Sequence, residues 1–552
     1  MQKLRSSLTS VLVILLFAVG GAVLQAQTYT TLYSFGSVSG DPRNPTTNGL
    51  MSQGRDGNLY STTTFGGSTN TGAAFKITTS GALTKLFDFT NTPVGGLDLG
   101  FDGNLYGTTT GGGTFNVGTV FRITPGGQLT TLWNFTSGTD GAGPLYPPFQ
   151  GQDGNYYGTN PNVRTGDFGR VYKMTPAGVL TVLGAFDGNN GNNPNLPVQA
   201  ADGNFYGTAR FGGVNGFGCQ IGCGTLYKIS PSGTITPLHS FAGYPSDGAD
   251  PRGVLVQGND GNFYGTTYAG GANNLGSIFK MTPSGQLTIL YSFCSAAGCV
   301  DGKNPYVGLI AGTDGNLYGT SQGGAHNAGA IFKVTPTGTF TTLYSFCNVS
   351  GCADGFFPQT PLMQHTNGKL YGVTESGGAN GLNGGVFYSV DLGLKPFVNL
   401  ITWTGKVGKT VEILGQGFTG TTSVSFNGTA ATFTVSSDTY LTATVPTGAT
   451  TGFVTVNTPG AALKSNRKFL VSPSILSFSP TSGTVGTAVI IAGNSLTGAT
   501  RVTFGGVRAV TFSVDSDMQI TASVPTGAKT GKIQVTTPGG TASSSGTFTV
   551  LP

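Results

Sequence analysis

One pentapeptide recurs along the chain and constrains everything else about its fold. Asp56-Gly57-Asn58-Leu59-Tyr60 returns as Asp102-Gly103-Asn104-Leu105-Tyr106, and again from Asp153, Asp202, Asp260 and Asp314. A worn seventh copy reads Asn367-Gly368-Lys369-Leu370-Tyr371. Successive copies lie 46, 51, 49, 58, 54 and 53 residues apart. A steady period of that size marks units that bury their apolar faces against neighbours, and it falls in the range of propeller blades.

Each copy reads as four short strands. In the fifth, Gly253–Gln257 is an apolar strand a, and Asp260-Gly261-Asn262 is a hairpin turn whose residues tolerate positive φ. Phe263–Thr267 is strand b, and Tyr268–Gly276 is a Gly-rich loop. Ser277–Thr282 is strand c, Pro283-Ser284-Gly285 a second turn, and Gln286–Phe293 strand d. In strand c, Phe279 and Met281 share one face and Ile278 and Lys280 the other.

The ends of the array point to closure. A strand-d motif, Thr31-Leu32-Tyr33-Ser34-Phe35, precedes the first Asp-Gly-Asn, and its counterparts run from Leu86–Phe89 to Leu343–Phe346. None follows the seventh strand c, Gly385–Val390. An N-terminal strand that completes the last blade removes the exposed edges of an open array. An open β-solenoid is the alternative.

After Leu392 the motif stops, and two copies of a different unit follow, 78 to 79 residues apart. The first carries Val407-Gly408-Lys409-Thr410-Val411, Gly415-Gln416-Gly417-Phe418 and Val445-Pro446-Thr447-Gly448. The second carries Val485-Gly486-Thr487-Ala488-Val489, Gly493-Asn494-Ser495-Leu496 and Val524-Pro525-Thr526-Gly527. Strands alternating with period two, such as Lys532-Ile533-Gln534-Val535, indicate sandwiches with one buried face per sheet.

The fold class expected is therefore all-β: a seven-bladed β-propeller closed by an N-terminal strand (27–393), followed by two immunoglobulin-like β-sandwiches (394–471 and 472–552). Composition agrees. Charged residues are 9% of the chain, against roughly 25% in an ordinary soluble protein. Aromatics reach 11% and glycines number 93, a balance foreign to disorder and suited to many tight turns.

These motifs carry two resemblances. The C-terminal units resemble IPT/TIG domains, through Ser479-Pro480-Thr481-Ser482-Gly483, the Gly493–Leu496 segment and Thr537-Pro538-Gly539-Gly540. The first copy departs at its entry, which reads Thr402-Trp403-Thr404-Gly405. Such domains imply spacer or adhesive modules. The repeat resembles the GloVer repeats of choice-of-anchor surface proteins, through Gly253–Gln257 followed by Asp260–Thr267. That resemblance implies an exported or surface-held protein with no established biochemical activity. Members tend to end in a sorting signal, whereas this sequence ends in an ordinary strand, Gly546–Leu551.

The first 26 residues read as a signal peptide, with Lys3 and Arg5 as the positive region and Val11 to Val19 as an apolar core shorter than a membrane span. Ala26 is the expected last residue before cleavage, with an uncleaved anchor as the alternative. No later segment is apolar enough to span a bilayer. Without Lys3 and Arg5 the chain keeps 25 basic and 22 acidic residues, which excludes a nucleic-acid footprint. The expected location is secreted or at a bacterial cell surface, and the expected partner is an extracellular ligand, a glycan or a surface protein.

Six cysteines form three close pairs: Cys219 with Cys223, Cys294 with Cys299, and Cys347 with Cys352. An even number in an exported chain reads as disulfides. No C-x-x-C spacing occurs and the chain has three histidines, His239, His326 and His365, so no metal and no cofactor is expected. Gly319-Thr320-Ser321-Gln322-Gly323 fits the nucleophile pattern G-x-S-x-G, but it reads as the end of a strand b rather than a strand-to-helix elbow. The Asp of each Asp-Gly-Asn reads as a turn former rather than a calcium ligand, which would need several carboxylates together. Asp140, Asp187, Asp247, Asp301 and Asp354 read as architecture of the d-to-a loops.

Blade order places the short a–b and c–d turns on one face and the longer b–c and d–a loops, with every Cys pair, on the other. Rigid scaffolds carry function on such loops. The binding candidates there are Arg164, Asp167, Arg210, Phe211, Tyr268, Lys303, His326, Phe356 and Glu375, and no residue is expected to be catalytic. The leading expectation is a non-enzymatic binding or adhesion protein, its propeller the recognition head and its sandwiches the stalk. The alternatives are a polysaccharide lyase or hydrolase at the propeller mouth, drawing on Asp167, Asp247, Glu375 and His326, and a purely structural envelope protein.

Overall fold

The computed structural model describes residues 27–45, 49–161, 166–216, 219–379, 381 and 384–552. The expected signal peptide, 1–26, lies outside the described residues. The chain is all-β. The described helical segments are short 3-10 turns such as Ala297–Cys299 and Ser350–Cys352.

The Asp-Gly-Asn turn is built by side-chain hydrogen bonds. Asp56 Oδ1 accepts the Asn58 backbone N–H, and Asp56 Oδ2 accepts Asn58 Nδ2 and the Tyr60 hydroxyl, both at 2.7 Å. Asp102, Asp153, Asp202, Asp260 and Asp314 bond their own Asn and Tyr in the same way. Gly57 sits at φ +77, where a Cβ would be strained. In the worn copy an amide stands in for the carboxylate, and Asn367 Nδ2 donates to the Tyr371 hydroxyl at 2.9 Å. Burial pushes the Asp260 carboxyl up, but its bonds to Asn262, Tyr264 and Lys280 outweigh this and hold it at about 2.

Each repeat folds as an antiparallel sheet in the order a-b-c-d. In the fifth, Val256–Gln257, Phe263–Thr267, Ser277–Met281 and Leu287–Ser292 pair in sequence. Strand a is shorter than the expected Gly253–Gln257. Its first residues leave the sheet to touch the neighbouring repeat, where a Cβ on Gly253 would stand 2.2 Å from the Gly308 backbone nitrogen. Strand b is buried at all five positions, because sheets pack on both of its faces. An apolar cluster fills each junction between successive repeats, as Phe241 of the fourth meets Phe263 and Phe279 of the fifth. A seventh cluster joins Leu59 and Phe75 of the first repeat to Tyr371, Val373 and Phe387 of the last and to Phe35, which ends the N-terminal strand-d motif.

The N-terminal strand Thr28–Ser34 pairs antiparallel with Val386–Asp391, Thr28 opposite Asp391 and Ser34 opposite Val386. A glutamine latch repeats across junctions. Gln150 Oε1 accepts from Phe101 N at 2.6 Å, Gln199 from Gln152 N at 2.8 Å and Gln364 from Thr313 N at 3.0 Å. Gln53 of the first repeat accepts from Thr366 N of the seventh at 3.1 Å, the same bond at the junction between the two ends. Residues in and just before strand a of six repeats line one cavity of about 440 Å³.

Two sandwiches follow, each a four-stranded and a five-stranded sheet. Strand Gly452–Asn457 alternates strictly between buried and half-buried, the period-two pattern read from sequence. Val411, Ile413, Phe426 and Phe469 centre the first core, and Val489, Ile491, Phe504 and Phe548 the second.

Candidate functional site

The two faces of the repeat array have different fates. The first sandwich docks on the short-turn face. Arg55, in the first Asp-Gly-Asn turn, meets Glu412 at 2.6 Å and lies 4.7 Å from the centre of the Tyr440 ring. Thr439 donates to the Arg55 carbonyl at 2.7 Å. Gln152 Oε1 accepts from Trp403 N at 2.9 Å, and Gln416 Nε2 donates to Thr366 Oγ1 at 2.9 Å. The docked sandwich also walls the 440 Å³ cavity with Trp403 and Arg467. Burial lowers the Arg467 guanidinium and raises the Asp98 carboxyl to about 6, although Ser52 and the Leu99 backbone bond to it.

The loop face holds the sequence candidates, and it divides them. Arg164 lies outside the described residues. Asp167 is spent within its own repeat, 2.6 Å from Arg170 and accepting from Gly169 N. Lys303 bridges to Gln322, and Phe356 bridges to Ser376 and packs on Phe357. Glu375, raised by burial, passes its carbonyl to Asn44 Nδ2. His326 is exposed.

Arg210, Phe211 and Tyr268 come together, and with them come Asp250, Arg252 and Tyr306, which the sequence reading did not single out. Arg210 Nε donates to Asp250 Oδ1 at 2.9 Å, and Arg252 Nε donates to Asp250 Oδ2 at 2.7 Å. The Arg252 guanidinium lies 3.6 Å from the Tyr268 ring centre and 4.8 Å from that of Tyr306. Arg210 lies 5.1 Å from the Phe211 ring. Burial works against the Arg210 charge, but Asp250 outweighs it and holds Arg210 above its ordinary value. All six side chains are half-buried. The arrangement presents aromatic faces beside fixed guanidinium donors. A signal was available in the sequence: Asp250 precedes Pro251 in the column where Asn44, Asn193 and Asn304 precede Pro45, Pro194 and Pro305.

The remaining loop carboxylates are structural. Asp140, Asp247, Asp301 and Asp354 bond Trp133, His239, Tyr291 and Tyr344 of the preceding strand d. Asp187 does not belong with them, since it accepts from Asn190 N instead; Asp41, bonded to Tyr33, is the true counterpart. The three cysteine pairs are bonded as read, on this face. Ser321 is a buried strand residue opposite Ala330, so its G-x-S-x-G lies on no strand-to-helix elbow.

Comparison with known proteins gives two family matches. A model described as the Gloeobacter/Verrucomicrobia repeat matches residues 20–159 and 144–388, and an IPT/TIG domain model matches 396–469 and 473–550. No curated protein matches the chain. Among solved structures, a fungal alcohol oxidase of the AA5 family is 14% identical with a TM-score of 0.38, covering 78% of this chain and 98% of that one. SGBP-B from a xyloglucan utilization locus in Bacteroides uniformis is 23% identical, TM-score 0.15, over 28% of this chain and 48% of that one. A surface glycan-binding protein of Prevotella bryantii is 18% identical, TM-score 0.20, over 28% of this chain and 38% of that one. This chain thus spans less than half the length of either glycan-binding protein.

Proposed function

The chain belongs to the Gloeobacter/Verrucomicrobia repeat family and carries two IPT/TIG domains, and from that premise we propose that it is an exported, non-enzymatic binding protein whose loop face recognises a carbohydrate. In this reading the seven sheets are the blades of a closed propeller. The strand pairing of Thr28–Ser34 with Val386–Asp391, the apolar junction of first and last repeats, and the Gln53–Thr366 latch all support closure. Export is supported by three disulfides in a chain with no free cysteine among its described residues. The two sandwiches form the stalk, the first of them seated on the turn face.

The observation that carries the reading is the cluster of Arg210, Asp250 and Arg252 with Tyr268, Tyr306 and Phe211. A sugar presents apolar C–H faces and a rim of hydroxyls. Aromatic rings match the first and fixed guanidinium donors the second. The other face is covered by the first sandwich, which leaves the loop face to meet a large ligand.

The test is a panel of immobilised glycans and polysaccharides incubated with residues 27–552, with retention and released sugar both recorded. Retention without release, lost on changing Tyr268 and Tyr306 to alanine, is the expected result. Released sugar would make the protein an enzyme and overturn the reading. Absence of both retention and release would remove carbohydrate as the ligand.

A further inference from the structure

One junction of the array departs from the rest. In six repeats the residue before the loop proline has a positive φ: Asn44, Gly143, Asn193, Asp250, Asn304 and Phe357. Where it is Asn, the amide can tie adjacent repeats together. Asn44 Nδ2 donates to the Glu375 carbonyl at 3.0 Å, and Asn304 Nδ2 to the Tyr268 carbonyl at 2.9 Å. A neutral amide therefore suffices for the structural task. Asp250 stands in that position at the junction of the fourth and fifth repeats, and among the described residues it is there that two arginines converge on it, from the end of strand b and from two residues further along the loop.

The charges do not cancel. Two guanidiniums share one carboxylate, so the cluster keeps a net positive charge. Asp250 engages Nε and Nη2 of each arginine. Among the described residues neither Nη1 has a protein acceptor, so each keeps two N–H donors. The Tyr268 ring, 3.6 Å away, and the Tyr306 ring, perpendicular to it and 4.8 Å away, both flank the Arg252 guanidinium. A planar, pre-oriented guanidinium with free donors is the side chain that best matches a carboxylate.

We infer that the loop face selects acidic polysaccharides, chains bearing uronate carboxylates, with Arg252 and Arg210 receiving the carboxylate and Tyr268 and Tyr306 the sugar faces. The inference rests on the carbohydrate reading above and adds to it the charge of the ligand. Two variants test it from opposite sides. Arg252→Gln removes one charge. Asp250→Asn installs the residue other repeats carry at that position, so it keeps the fold while raising the local charge by one.

The experiment measures affinity of residues 27–552 for polygalacturonate and alginate, each beside its methyl-esterified form, at about 20 and 200 mM salt. The acidic forms are expected to bind at least tenfold more tightly than the esters, and less tightly at the higher salt. Arg252→Gln is expected to weaken acidic binding tenfold or more, and Asp250→Asn to strengthen it severalfold. Equal binding of acid and ester would overturn the inference and leave the carbohydrate reading standing. Acidic binding indifferent to both variants would also overturn it. Retention of neither form, with neutral glycans retained, would exclude the uronate, and silence across the panel would remove both readings.

Discussion

Asp98 lines the cavity under the first sandwich, and replacing it with asparagine is expected to stabilise the protein at neutral pH and leave it unchanged in acid. Burial holds the folded carboxyl at about 6, against 3.8 for a free one. The folded state therefore binds its proton more tightly than the unfolded chain. Between those two values folding takes up protons, so stability falls as pH rises through the window, and above about 6 the loss is complete. A shift of about two units corresponds to ~3 kcal/mol at pH 7.5, an upper figure because Asp98 is only half-buried and solvent screens part of its charge. Asparagine keeps the size of the side chain and an oxygen for the Ser52 hydroxyl, which lies 3.3 Å from Asp98 Oδ1. Guanidinium unfolding at pH 4 and pH 7.5 would read the difference, with the fluorescence of Trp133 and Trp403 as the probe. An equal gain at both pH values, or a loss at pH 7.5, would refute the argument from protonation.

Three further outcomes follow from named contacts. Arg55→Ala removes the Glu412 ion pair and the Tyr440 ring contact, a loss of about 2 kcal/mol in docking; faster amide exchange at Tyr440–Thr444 is expected, and unchanged exchange would show that the first sandwich is held by other contacts. Gln53→Ala strands the Thr366 amide, whose hydroxyl keeps Gln416 and the Gly415 carbonyl, and is expected to cost ~1–3 kcal/mol. Gln257→Ala, whose side chain among the described residues bonds within its own turn, is expected to cost clearly less; equal losses in denaturant titrations would deny the first–last junction a special role. Changing Cys347 and Cys352 to serine opens a short loop worth about 2 kcal/mol, and hydrogen exchange should rise at Phe356 and Phe357 while Leu370–Thr374 stays protected.

What could be read in advance depended on how local the physics was. The Asp-Gly-Asn-x-Tyr turn is closed by side chains within five residues, so its chemistry is written in the motif itself. Strands b, c and d of the fifth repeat fall within a residue or two of their expected bounds for the same reason. Strand a did not, because its first residues are placed by a neighbouring repeat. Docking of the first sandwich was out of reach, since Arg55 and Glu412 are 357 residues apart and neither position carries a motif. The loop site was half legible. Arg210, Phe211 and Tyr268 stand out in the sequence as side chains on the loop face, whereas Asp250, Arg252 and Tyr306 become conspicuous only when the repeats are compared column by column.

The pairing of the N-terminal strand has a mechanical side. Thr28 and Asp391 face each other at the open end of a six-pair ladder, and the chain runs on from Asp391 into the sandwiches. Tension between the two ends of the repeat array therefore arrives at that end and parts the rungs in succession, as in a zipper, rather than loading them together in shear. Tension borne through the sandwiches alone never reaches the ladder. The array is weakest when pulled by both of its ends, and a tether placed beyond Asp391 keeps its seam out of the line of force.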